Sequence, residues 1–220
     1  RFHPGSMILS VGSFGCNMRC PFCQNYEISQ EWDKRRLMRL TPEQLVQEAE
    51  EQLSEGNIGV AYTYNEPLIN YEFLWDTGLL IHEQGLVNVA VTNGMLNEEP
   101  FRRLLPLLDA LNIDLKGFSD TYYRWLGGDL ETVKRNIALA ARFSHVELTT
   151  LIVPGRNDSE EEMAAIAAWV AGISPDIPLH ISRFFPRWQM GSSQPTERAA
   201  IYRLAEIAAE RLKYVYTGNC

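Results

Sequence analysis

Short apolar runs bounded by turn residues alternate along the chain with longer segments whose apolar positions recur at helical spacing. The former read as strands and the latter as helices. Strands are expected over Met7–Val11, Ile58–Tyr64, Leu86–Val91, Leu111–Leu115, Val146–Val153 and Leu179–Phe184. Thr41 offers an N-cap ahead of Pro42 and Glu43, and the helix so opened buries Leu45, Val46, Ala49 and Leu53 before Gly56 ends it. Further helices are expected over Leu68–Gln84, around Pro100–Leu108, twice between Ser119 and Phe143, from a cap at Asp158 or Ser159 through Ala171, and over Glu197–Leu212. Strands alternating with helices across short connections build parallel sheets. The six βα units are too few for a closed eight-stranded barrel. They suit an α/β fold with a partial (βα)6 barrel, a curved parallel sheet with outer helices.

A length of 220 residues suits one domain, read here as 1–220. With 45% hydrophobic and 10% aromatic residues the chain is globular in composition. A net charge of −8 exerts no bulk pull toward nucleic acid or an anionic membrane, so neither is an expected partner. No apolar run approaches the ~20 residues of a membrane span, and no signal peptide is visible. The chain begins abruptly at Arg1-Phe2-His3-Pro4-Gly5 and stops at Cys220, directly after the strand-like Tyr214-Val215-Tyr216, which reads as a fragment or a minimal core. A polar, charged segment containing Trp32 runs from Glu27 to Arg39.

Three of the four cysteines fall within Cys16-Asn17-Met18-Arg19-Cys20-Pro21-Phe22-Cys23, spaced C-x3-C-x2-C. They are not a secreted disulfide framework, and a reducing, cytoplasmic setting is expected. Three crowded thiolates select zinc, copper(I) or an iron–sulfur cluster. A structural zinc site normally closes with a fourth ligand, and none follows nearby. A [4Fe-4S] cube on three cysteines leaves one iron open to a small molecule.

Other polar residues stand at the ends of the expected strands, where parallel α/β barrels build their sites. Glu66 follows the second strand and Asn93 the third. Asp114 and Lys116 end the fourth and share a face if strand alternation holds. His180 and Arg183 lie on the sixth. Each also has a plainer reading: Glu66 as a helix cap, Thr92-Asn93-Gly94 as a turn, Asp114 with Lys116 as a surface ion pair, His180 as a core histidine.

The cysteine pattern, with Phe22 before the third cysteine, resembles the signature of radical S-adenosylmethionine (SAM) enzymes. The likeness extends along His3-Pro4-Gly5-Ser6, Cys20-Pro21-Phe22-Cys23-Gln24-Asn25, Tyr62-Thr63-Tyr64-Asn65-Glu66-Pro67, Asn112-Ile113-Asp114-Leu115-Lys116 and Ile152-Val153-Pro154-Gly155. Within the superfamily these segments resemble the AmmeMemoRadiSam-system radical SAM proteins and pyruvate formate-lyase activating enzyme. The resemblance implies that Cys16, Cys20 and Cys23 hold a [4Fe-4S] cluster whose open iron chelates SAM. Phe22 would pack near the adenine, Glu66 would accept from the SAM ammonium, and Lys116 would neutralise its carboxylate. Asp114 would bond the ribose or hold Lys116. Asn93 and His180 would lie near SAM, and Val153 would line the adenine pocket. Phe184, Phe185 and Trp188 read either as the substrate mouth or as closure of the barrel's open side. Where the family usually carries Gly-Gly-Glu, this chain has Tyr64-Asn65-Glu66, which leaves the local backbone path open. The implied activity is reductive cleavage of SAM and hydrogen abstraction from a protein or peptide, in an oxygen-poor setting, with a flavodoxin- or ferredoxin-type reductant. An RNA-modifying enzyme, a non-catalytic electron carrier or partner-binding protein, and a zinc module are the alternatives.

Overall fold

The computed structural model describes residues 1–31 and 38–220. Trp32, in the charged segment noted above, lies outside the described residues. Among the described residues, seven parallel strands form one sheet in sequence order: β1 (Met7–Val11), β2 (Asn57–Tyr62), β3 (Val87–Thr92), β4 (Ala110–Asp114), β5 (His145–Ile152), β6 (Leu179–Arg183) and β7 (Val215–Gly218). The order runs from β1 to β7 without closing on itself, so the sheet is an open barrel. The expected fold class holds, with one strand more than six βα units supply. β7 joins because Val215 to Gly218 pair in register with Leu179 to Ser182.

The helices are α1 (Tyr26–Ser29), α2 (Pro42–Glu51), α3 (Tyr71–Glu83), α4 (Glu98–Leu104), α5 (Asp120–Trp125), α6 (Leu130–Ala140), α7 (Glu160–Ile173) and α8 (Arg198–Ala209). Their starts follow local chemistry. Thr41 and Gln44 form a reciprocal capping box at α2, and Ser119, Asp129 and Ser159 cap α5, α6 and α7. Strand β5 shows how the layers divide. Val146, Leu148, Thr150 and Ile152 are buried, while His145, Glu147, Thr149 and Leu151 on the other face are only half-buried. Thr149 and Leu151 line the central cavity, so that half-buried face is the barrel interior.

Glycine is obligatory at one strand position. Gly59 in β2 has φ 158°, and a Cβ there would stand 1.9 Å from the Val87 carbonyl oxygen of β3. Only a residue without a side chain lets the two backbones approach this closely.

Candidate functional site

A cavity of about 370 Å³ opens at the C-terminal ends of the strands. Cys16, Cys20, Phe22, Cys23, Glu66, Asn93, Asp114 and Lys116 all line it, so eight of the nine site residues expected from the sequence meet there. His180 does not. Its Nε2 is 2.5 Å from Glu147 Oε2, and its ring stacks on Tyr216 deeper in the barrel. Ser182, one alternation further along β6, takes the cavity position instead. His180 is therefore a half-buried, partnered histidine outside the cavity lining. Arg183 points elsewhere, donating to the Thr196 carbonyl and lying over the Phe185 ring. Val153 is buried outside the cavity lining, its N–H bonded to Asn157.

The cysteine loop leaves β1 and is held by side chains from β2's exit. Asn65 Oδ1 accepts from Ser13 N–H at 2.9 Å, and its Nδ2 donates to Ser13 Oγ at 2.8 Å and to the Gly15 carbonyl at 2.9 Å. Beyond the third cysteine, Asn25 Nδ2 donates to the Tyr64 carbonyl at 2.6 Å. The Tyr64-Asn65 departure from the glycine pair is thereby resolved. Tyr64 adopts φ 70°, the left-handed conformation that glycine reaches freely, and its ring is 54% exposed at the cavity mouth. Neither tether is visible in the sequence, because the partners lie 39 to 52 residues apart.

The three cysteines are free thiols. Burial pushes Cys16 up to about 11, with the charges of Glu66 and Cys20 adding to it against the Met18 N–H. Burial also raises Cys20, which the Lys116 cation offsets in part. Such thiols ionise when a metal supplies the countercharge. Among the described residues no three His, Cys, Asp or Glu side chains converge as they would on a single metal ion. The thiols instead line the wall of a cavity, and three soft donors around such a volume fit a [4Fe-4S] cluster.

Glu66 is 1% exposed. Its Oε1 accepts from Leu68 N–H at 3.0 Å and from the Thr92 hydroxyl at 2.6 Å, and its Oε2 from Asn93 N–H at 2.7 Å. It thus caps the turn after β2 and faces the cavity at once. Burial outweighs these three donors and raises its carboxyl to about 7. Oε2, with a single donor, keeps acceptor capacity for a ligand.

Lys116 follows the end of β4, and its Nζ bonds Asp114 Oδ2 at 2.8 Å. Burial works to lower the lysine, but the charges of Asp114 and Cys20 prevail and hold it well above its usual range. Asn157 fixes this exit, donating to the Lys116 carbonyl at 2.7 Å and to the Leu151 carbonyl at 2.8 Å. Phe22 lies between Trp125 and Phe184, with ring centroids 6.1 and 6.4 Å away. Of the aromatic run after β6, Phe184 is buried, Phe185 is exposed, and Trp188 stacks on Tyr26 at 5.7 Å and donates to Glu31 at 2.9 Å. Trp188 therefore bridges the loop after β6 to the cysteine loop. Cys220 is exposed, next to Asn219 at the cavity edge.

Comparison with known proteins agrees with this arrangement. An uncharacterized protein of Methanocaldococcus jannaschii is 38% identical over 222 residues, covering 99% of this chain and 65% of that protein. The pyruvate formate-lyase-activating enzyme of Clostridium pasteurianum is 26% identical over 169 residues, 72% of this chain and 67% of that one. The chain thus spans about two thirds of the length of these relatives. Among solved structures, Streptococcus suis SuiB bound to SAM superposes with a TM-score of 0.77 at 12% identity, covering 98% of this chain and 51% of that one. The same protein bound to its precursor peptide SuiA gives 0.76 at 13% identity over 98% and 50%. The Radical SAM superfamily profile matches residues 10–170, from the end of β1 through most of α7. Three thiols, a buried acid and a paired lysine around one cavity at the strand ends, together with that match, make the chain a member of the Radical SAM superfamily, whose cofactors are a [4Fe-4S] cluster and SAM.

Proposed function

We propose that this chain cleaves SAM reductively and abstracts hydrogen from a protein or peptide substrate, with a glycine Cα, as in glycyl-radical enzyme activation, the leading case. The observation that carries the reading is the meeting of Cys16, Cys20 and Cys23 with Glu66, Asp114 and Lys116 around one cavity. Bound together, the cluster and SAM supply one-electron cleavage of the sulfonium to methionine and a 5′-deoxyadenosyl radical. The chain's own groups bind and orient. Cys16, Cys20 and Cys23 would hold the cluster. Glu66 Oε2 would accept from the SAM ammonium in a charge-assisted bond. Lys116, kept cationic by Asp114, would face the SAM carboxylate, and Phe22 would offer an apolar face to the adenine. Tyr64, exposed and part of the cavity lining, would be among the first side chains a substrate meets.

Two likenesses support the substrate class. The Clostridium relative is named for activating pyruvate formate-lyase, and SuiB is known bound to a precursor peptide. The test uses anaerobically reconstituted protein, SAM and dithionite, with 5′-deoxyadenosine and methionine followed by chromatography. Wild type forms both and Cys20→Ala forms neither. A full [4Fe-4S] complement with bound SAM but no 5′-deoxyadenosine, with or without candidate peptides, would overturn the reading in favour of an electron carrier.

A further inference from the structure

We propose that Asn93 is a positioning residue that raises the reduction potential of the cluster by hydrogen-bonding Cys16, and that Asn17 fixes the orientation in which it does so. This rests on Cys16 being a cluster ligand. Asn93 Nδ2 stands 3.6 Å from Cys16 Sγ and 2.8 Å from Asn17 Oδ1. Asn17 Nδ2 donates to the Met95 carbonyl at 2.6 Å, and Met95 N–H donates to Asn93 Oδ1 at 2.8 Å.

The three bonds among Asn17, Asn93 and Met95 close a ring, and the ring settles which way each amide points. Met95 N–H requires an acceptor, so Asn93 must present its oxygen there and its NH2 group toward Cys16. The Met95 carbonyl requires a donor, so Asn17 must turn its oxygen to Asn93. One Asn93 amide proton is spent on Asn17, and the other is left aimed at the Cys16 sulfur. Asn93 is 5% exposed, and its backbone N–H is held by Glu66 Oε2. The side chain therefore has little freedom to turn away and little water to compete with it.

A donor to a cluster thiolate favours the more negative, reduced state and so raises the potential. Met18 N–H, 3.4 Å from the same sulfur, does so from the loop itself. Asn93 adds a donor from another strand, so electron acceptance depends on contact between the cysteine loop and β3. The resemblance places this residue near SAM, whereas the geometry has it act through Cys16.

The test measures the one-electron midpoint potential of the reconstituted cluster by dye-mediated dithionite titration with electron paramagnetic resonance detection. Asn93→Asp keeps the acceptor for Met95 and removes both amide protons, and Asn93→Ala removes the whole group. In Asn93→Ala the reduced-to-oxidised ratio at a fixed ambient potential is expected to fall about tenfold, about 59 mV for one electron, and in Asn93→Asp, whose carboxylate also repels the added electron, by more than that. Asn17→Ala keeps the Asn93 donor and is expected to move the potential by less than half as much. A residue that only packed the loop would lower cluster occupancy and leave the potential of the filled fraction unchanged, which would overturn the proposal. A second readout needs no variant. Protein grown with asparagine labelled only at the side-chain ¹⁵N is expected to show a weak ¹⁵N coupling to the reduced cluster in pulsed spectra. Its absence in the wild type would overturn the proposal even if no Asn93 variant took up a cluster. Failure of the wild type to form a [4Fe-4S] cluster at all would overturn the underlying site as well.

Discussion

The carboxyl of Glu66 makes stability depend on pH in a direction opposite to that of most carboxylates. Burial raises it from 4.5 to about 7, although Asn93 N–H, Thr92 and Leu68 N–H all favour the charged form. The folded value lies above the unfolded one. The associated stability is therefore complete below about pH 4.5 and is lost as pH rises through about 7. At ~1.4 kcal/mol per pH unit of displacement, the full loss amounts to about 3.5 kcal/mol. No discount for solvent is needed, since the residue is 1% exposed. Glu66→Gln cannot ionise, so it removes this pH dependence. It also turns an amide NH2 toward a backbone N–H or the Thr92 hydroxyl, at a pH-independent cost of about 1–3 kcal/mol. The assay is urea unfolding of cluster-free wild type and variant at several values between about pH 5 and about pH 8, where the carboxyl titrates. The wild type should lose about 2.5 kcal/mol relative to the variant across that range. Parallel curves would show that the three donors offset burial in full, and wild-type stability rising relative to the variant would reverse the sign of the reasoning.

Three further outcomes follow from particular contacts. Gly59→Ala drives a Cβ into the Val87 backbone and should cost at least ~3 kcal/mol, read as a lower urea midpoint; a loss under ~1 kcal/mol would mean that the β2–β3 spacing is adjustable. Asn65→Ala strips the Ser13 N–H and the Gly15 carbonyl of their partner and should cost about 2 kcal/mol, with faster loss of iron to a chelator and little effect from Asn65→Asp on the Ser13 bond. Glu147 is lowered to about 2: burial opposes this, but His145, His180 and the Phe2 N–H outweigh it, so its stability is present above pH 4.5 and lost as pH falls through about 2. His180→Ala should therefore move acid unfolding to higher pH while SAM affinity changes less than about twofold; a large loss of SAM binding would return His180 to the site.

Much of the fold lay in plain view because strand burial is local information. β5 was legible from its apolar run, and β4 from Leu111 to Asp114. β7 shows in the sequence only as the short strand-like Tyr214 to Tyr216, and six βα units leave it out. α1 is one turn long and carries no periodicity. The strand reading took β2 on to Tyr64, whereas the strand ends at Tyr62 and the chain turns at the left-handed Tyr64. The cavity residues were legible by type and by position at strand ends. The asparagines that hold them were not. Asn17, Asn65 and Asn157 satisfy backbone groups of segments distant in sequence, and such long-range polar satisfaction leaves no local pattern. His180 was misplaced for the complementary reason. It shares a strand face with Ser182, but alternation says nothing about depth along the barrel axis.

The tethers around the cysteine loop impose an order on maturation. Ser13 and Gly15, before the first cysteine, and Asn25, after the third, all find partners in Tyr64 and Asn65. Those two residues reach the loop only after β1 and β2 have paired, from Leu9 with Val60 to Val11 with Tyr62. Until then the three thiols sit on a chain with no fixed curvature and nothing to distinguish them from an unfolded metal-scavenging peptide. Iron loading is thus expected to follow strand pairing, a sequence that time-resolved iron uptake during refolding would check. A chain stalled before β2 docks offers iron delivery no shaped receptacle.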